Sequence, residues 1–217
     1  MCIASRIMLS TCCLPLLASS LATAEIIDFE DVATPLSGAL FDAGGVANNY
    51  GGFNWSTNWV GASSLPAGSA SVYHNVGSIK SGYMTAIAYD TRAMYLPGLF
   101  ESPVNELTIT RGETWNFGSM DFAAAWNANL SVEITGLLAG NILYTYSTTI
   151  TTPGQMASLS LNFNGIDTLF IRSSGGTTAY AGGGGAHLII DNLAYSIPAP
   201  SALALLGVAG VIRRRQR

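Results

Sequence analysis

Beyond its first thirteen residues the chain has no cysteine; the three it carries are Cys2, Cys12 and Cys13. A body without thiols has no disulfide framework, no cysteine nucleophile and no thiolate ligand. Its stability must come from burial, hydrogen bonding or a metal. Basic residues are scarce too. All 13 carboxylates lie between Glu25 and Ile197, where the only cations are Lys80, Arg92, Arg111 and Arg172, so this stretch carries −9 against −4 for the whole chain. Phosphate backbones need a basic footprint, which argues against nucleic acid as a partner. The two histidines, His74 and His187, sit in no zinc spacing such as His-Glu-x-x-His. Gly-x-Ser-x-Gly is absent, and Glu101, Glu106, Glu113 and Glu133 form no pattern marking a glycosidase pair. Between the two ends no segment keeps a helical period.

The ends are where the sequence is most explicit. Arg6 gives a basic start, Ile7 to Leu21 an apolar stretch, and Ala22-Thr23-Ala24 a small-x-small site before Glu25. These are the parts of a secretory signal peptide over residues 1–24, with Ala22 and Ala24 as the positions a signal peptidase reads. Lipidation at Cys12 fits less well, because Thr11 is a poor residue before a lipidated cysteine.

Residues 197–217 form a tail in three parts: Ile197-Pro198-Ala199-Pro200-Ser201, then Ala202 to Ile212 without a polar side chain, then Arg213-Arg214-Arg215-Gln216-Arg217. As a helix the eleven apolar residues rise about 17 Å at 1.5 Å each. A hydrocarbon core is about 30 Å thick and needs about 20 such residues. Flanking arginines recover a few Å by snorkelling, so the segment is a marginal span suited to temporary residence. The arginine cluster should stay cytoplasmic. Pro198 and Pro200 cannot continue a helix upstream, which leaves an extended and accessible peptide.

This tail resembles the PEP-CTERM sorting signal of bacterial surface proteins. Pro198 and Pro200 match its two prolines, Ser201 the small polar residue that follows, and Arg213, Arg214 and Arg215 its basic end; Ala199 departs from the usual glutamate. The resemblance implies processing by a membrane enzyme of the exosortase kind and delivery to the envelope or extracellular matrix. The span would then be a transient anchor.

Residues 25–196 read as one all-β domain. Leu130, Val132 and Ile134 alternate with Ser131, Glu133 and Thr135; Ile142, Tyr144 and Tyr146 with Leu143, Thr145 and Ser147; Leu159, Leu161 and Phe163 with Ser158, Ser160 and Asn162. Gly136 to Asn141 supplies a turn that pairs the first two runs as a hairpin. Further strands are expected at residues 26–30, 84–89, 106–110, 118–125, 168–173 and 187–195. Such spacing points to a single antiparallel two-sheet β-sandwich of jelly-roll type. The stretch from Thr34 to Gly82 reads as loop-rich and aromatic, the place for specificity. The opening Ile26 to Asp31, the closing Ile189 to Leu193 and Tyr50 to Trp55 are similar to bodies carried by PEP-CTERM proteins. They also faintly resemble carbohydrate-binding jelly rolls, in which the first and last strands lie side by side.

Two candidate sites follow. Tyr50, Trp55 and Trp59 offer aromatic faces for stacking on sugar rings, with Asn48, Asn49, Asn54 and Asn58 nearby to bond hydroxyls. Glu30, Asp31 and Asp191, with Asp28 and Asn192, would meet if the terminal strands are neighbours, and oxygens converging at a sheet edge suit structural Ca²⁺. Trp115 and Trp126 adjoin strand patterns and read as packing. Asn54-Trp55-Ser56 and Asn129-Leu130-Ser131 fit the glycosylation sequon; under the bacterial sorting reading they are chance matches. The reading is an exported, envelope- or matrix-associated, non-enzymatic protein that binds or helps build extracellular polysaccharide. The alternatives are a structural or adhesive matrix protein and a secreted carbohydrate-active enzyme.

Overall fold

The computed structural model describes residues 24–32, 41–45, 49–57, 71–75, 92–96, 103–181 and 183–198. Thr23–Pro198 forms one compact unit. Of the expected processing residues, Ala22, Ala199, Pro200, Ser201, Arg213, Arg214 and Arg215 lie outside the described residues, as do the leader and the apolar segment. Among the described residues there is no helix, and none long and apolar enough to cross a membrane.

The body is all-β and antiparallel. Its strands are β1 (Ala24–Ile27), β2 (Phe41–Gly45), β3 (Asn54–Thr57), β4 (Ser71–Asn75), β5 (Arg92–Tyr95), β6 (Val104–Ala124), β7 (Asn127–Ala128), β8 (Leu130–Leu138), β9 (Asn141–Ile150), β10 (Ala157–Ser174), β11 (Thr177–Thr178) and β12 (Leu188–Ser196). The hydrogen-bonded order is β2-β4-β5-β12-β6-β10-β8-β9, with β1 on β12 and β3 on β6; β11 and β7 pair separately. The terminal strands are neighbours as expected, with Ile27 opposite Leu193. Exposed Ala24 lies opposite Ser196, so the body's two ends emerge together.

The two layers are halves of one folded sheet. Both β6 and β10 run through both layers, where the sequence suggested two shorter strands in each case. The inward-facing parity of β6 changes along its length. Asn105, Leu107 and Ile109 are buried at one end, and Met120, Phe122 and Ala124 at the other. The slip falls at Gly118, where an added Cβ would lie 3.3 Å from the Ala194 carbonyl oxygen. Across from it β12 breaks register after Asp191, with Asn192 at φ 49°. In β10 the register shifts between Ser160 and Thr168, around Asn162 and Gly165, both at positive φ. Such bulges let a strand bend from one layer into the next. Met94, Ile190 and Phe122 from one layer and Leu107, Ile134, Leu169 and Ile171 from the other share one core.

The loop-rich reading of Thr34 to Gly82 needs correcting, since β2, β3 and β4 lie within it. They are four or five residues long and rich in Gly, Asn and Ser. Pairing with neighbours, rather than their own alternation, makes them strands. The strand expected at residues 84–89 lies outside the described residues.

The β8–β9 hairpin forms as expected, but its turn tightens to Ala139-Gly140 between the paired Leu138 and Asn141. Both turn residues have positive φ, 49° and 79°, the type I′ geometry that favours Asn-Gly. The Asp167 carboxylate accepts a 2.7 Å hydrogen bond from the Ala139 amide and holds the turn. Alanine pays about 1 kcal/mol for this conformation. Ala139→Asn should therefore raise unfolding stability by about 0.5–1 kcal/mol in a denaturant titration; a loss would contradict the assigned turn.

Candidate functional site

The aromatic candidates form part of the core. Trp55 is 3% exposed. Its indole packs edge-on against Phe29 at 5.6 Å and against Phe53 at 6.4 Å, and its Nε1 donates to the Tyr50 carbonyl at 3.0 Å. Phe53 in turn meets Trp115 at 4.7 Å and Tyr195 at 4.8 Å, with the Arg111 guanidinium 5.2 Å above its ring. Trp55 therefore presents no free face to a sugar ring, which corrects its role as a platform. The alternation that buries Leu107 and Ile109 on β6 also turns Trp55, opposite Ile109, inward. Tyr50 stays half-buried, stacked on Phe29 at 5.8 Å, and its hydroxyl donates to Asp31. Burial, and next the Asp31 carboxylate, push its phenol well above the usual range. Trp59 lies outside the described residues. Trp115 and Trp126 are buried, as packing residues should be.

The carboxylates expected to hold calcium each have a protein partner. Glu30 accepts from the Arg92 backbone amide at 2.7 Å and pairs with the Arg92 side chain. Asp31 takes the Tyr50 hydroxyl. Asp191 is buried, lies opposite Asp121 and accepts from the Asn192 amide at 2.7 Å. Glu30, Asp31 and Asp191 thus hold separate junctions, and among the described residues no three carboxylates or histidines gather as a metal cluster.

His187 is 4% exposed and lies against Tyr95, ring centroids 5.6 Å apart and nearly parallel. Burial lowers its pKa from 6.5 to about 4. Between those values the unfolded chain binds a proton that the folded chain refuses, so stability falls as pH drops from about 6.5 to about 4. In a melting series over that range His187→Phe should flatten the slope; an unchanged slope would count against this residue as the source.

Rows of polar residues lie on the outer face of the second layer. Register sets Glu106, Arg172, Glu133 and Ser147 in one row across β6, β10, β8 and β9. The next row sets Val104, Ser174, Ser131 and Thr149 side by side, and on the other flank Ser56, Thr108, Phe170, Thr135 and Thr145. Ser131, Glu133, Ser147, Thr149, Arg172 and Ser174 line an open depression of about 340 Å³. The Arg172 Nε is 3.6 Å from Glu106 Oε1, both side chains well exposed. An exposed pair of this kind contributes about 0–1 kcal/mol to stability. Arg172 is thus an outward-facing cation, whereas Arg92 is tied to Glu30 and Arg111 to Phe53 and the Gly52 carbonyl. Five strands at about 4.8 Å spacing make this face roughly 19 Å wide.

The Glu106–Arg172–Glu133 row was not picked out from the sequence. The alternation in residues 130–135 turns Glu133 outward, and that in 168–173 does the same for Arg172. Their adjacency depends on the β10–β8 register, which no single-strand pattern encodes.

No protein-family profile and no curated protein matches the chain. Solved structures similar at low identity include the following three. A family 61 carbohydrate-binding module in complex with β-1,4-galactotriose matches 79% of this chain and 94% of its own, at 6% identity and TM-score 0.37. Chitosan-binding module 1 of a chitosanase/glucanase from Paenibacillus sp. IK-5 matches 67% and 93%, at 9% and 0.36. An exo-β-agarase matches 80% of this chain and 25% of its own, at 12% and 0.41. Likeness of this degree selects no ligand.

Proposed function

We propose that the body binds an extracellular polysaccharide on the outer face of β3, β6, β10, β8 and β9. The supporting observation is the placement of Arg172 between Glu106 and Glu133 beside a floor of serine and threonine hydroxyls. Vicinal sugar hydroxyls both donate and accept, and such a row offers them a guanidinium, two carboxylates and hydroxyls on one plane. Half-buried Phe170, one row away, adds an apolar surface for a ring face. The depression lies open on a sheet face rather than in a cleft that excludes water, a geometry for holding a chain rather than cleaving it. With a body charge of −9, a neutral polymer is favoured over an anionic one.

Arg172→Ala should lower retention on a neutral polysaccharide in affinity electrophoresis at least tenfold while shifting unfolding stability by less than about 1 kcal/mol. Unchanged retention across a panel of neutral and anionic polysaccharides would overturn this assignment of the face.

The same reading holds that the protein is exported, trimmed by signal peptidase after Ala24, and sorted through its tail by an exosortase-like enzyme to the envelope or matrix. Support comes from the two terminal sequence patterns and from exposed Ala24 and Pro198 at the body's ends. Deleting residues 198–217 should release the protein into the medium; a truncated chain that stays with the envelope would refute sorting by the tail.

A further inference from the structure

β9 ends the strand order, and among the described strands it pairs with β8 alone. Its far edge is a row of backbone N–H and C=O groups facing outward. Natural sheets blunt such an edge with lysine, proline, a bulge or a short strand. Here ten residues, Asn141–Ile150, contain no charge, no proline and no glycine. The ladder with β8 shifts register once, between Gly136 and Leu137 beside the hairpin turn, and from Gly136↔Tyr144 to Leu130↔Ile150 it runs without a shift. At the hairpin end Ile142 is 66% and Leu143 45% exposed.

We propose that β9 pairs with β9 of a second copy of this chain, antiparallel about a two-fold axis. Charge argues for that occupant. Bodies of −9 repel one another over most approaches, but the β8–β9 hairpin has Glu133 as its only charge. Across a β9–β9 contact the two Glu133 positions stand three strand spacings apart, about 14 Å, beyond the Debye length of about 8 Å. A two-fold axis normal to the sheet carries the inner face onto the inner face, so each residue meets one of the same parity. Nearly full overlap then puts Thr145 or Tyr146 on the axis. In the first register Thr145 faces its own copy, and in the second it faces Ser147.

Ser147 and Thr149 line the depression, so the pairing would set two depressions on one continuous face. A long polymer spanning both would gain avidity without a new contact. That consequence rests on the polysaccharide reading; the pairing itself does not.

The test uses the full chain exported into an oxidising compartment, where the parent has no cysteine after Cys13. Opposed strand residues fall within disulfide reach. Either Thr145→Cys alone or Thr145→Cys with Ser147→Cys should run at twice the single-chain mass on a non-reducing gel. The yield should be at least ten times that of Glu113→Cys, an exposed position on β6. By light scattering the protein recovered from the cells should have the mass of two chains, and Thr145→Lys, which sets like charges together near the axis, the mass of one. A single-chain mass for the parent overturns the pairing, as do cysteine yields no higher than for Glu113→Cys. Retention on polysaccharide is read separately. Binding by a single-chain protein overturns the pairing alone, and a parent protein of two-chain mass that binds no polysaccharide overturns the binding alone.

Discussion

Because β6 and β10 run through both layers, their mutual pairing has to survive a change of direction without help from any disulfide. Thirteen paired positions join them, with three register shifts clustered between Ser160 and Thr168. Each shift gives up regular ladder bonds locally and gains a bend that brings two apolar faces together. That exchange is favourable because the side chains it buries are large. Trp115, Phe117, Met120 and Ile166 are fully enclosed near the bend, and burying each contributes roughly 1.5–3 kcal/mol. The fold is thus held by a corner, and the remaining strands attach to one arm of that corner or the other.

Aromatic contacts and single polar pairs close the open side. Tyr195 on the last strand reaches Glu25 on the first. Burial, and next the Glu25 carboxylate, push its phenol up to about 12, so this bond persists throughout the physiological range. Arg92 gathers Glu30, and Asp121 takes Ser158 and Asn192. In a body with few cations, using Arg92 and Arg111 for such closures leaves little positive charge elsewhere. Arg172 stands apart because it is the more exposed member of a solvent-facing pair with Glu106. A charge kept where it stabilises so little is the one on which the proposed binding face relies.

Alternation made β8, β9 and the first part of β10 readable from the residues alone, because each has one face toward the core and one toward water. It failed where that condition failed. Ala123, Ala125 and Ile189 are buried on the face opposite the main core, around Trp126, so burial there does not alternate. Short β2 to β4 carry too few residues to show a period. Trp55 turns inward for a reason that its own residue type does not encode. An indole suits a sugar platform and a core equally well, and the deciding fact is the face of β6 on which Ile109 opposes it. The surface row of Glu106, Arg172 and Glu133 lies beyond any one-strand pattern, since three strands far apart in sequence must align to make it.

The strand that lines the depression is also the strand that leaves its edge open, and the two properties have a common origin. β9 is built from Thr, Ser, Tyr and Ile, which favour strands, carry no charge and offer hydroxyls to the outer face. A lysine placed to protect the edge would also project a long, mobile cation beside Ser147 and Thr149 and fill the shallow floor. Keeping the floor low and neutral therefore keeps the edge unprotected. An acidic body tolerates that exposure, because long-range repulsion opposes random association while leaving the aligned, uncharged strip free to pair. On this argument the proposed binding face and the proposed self-association belong to one constraint: a hydroxyl floor at the rim of a sheet cannot also carry the charges that would guard the rim.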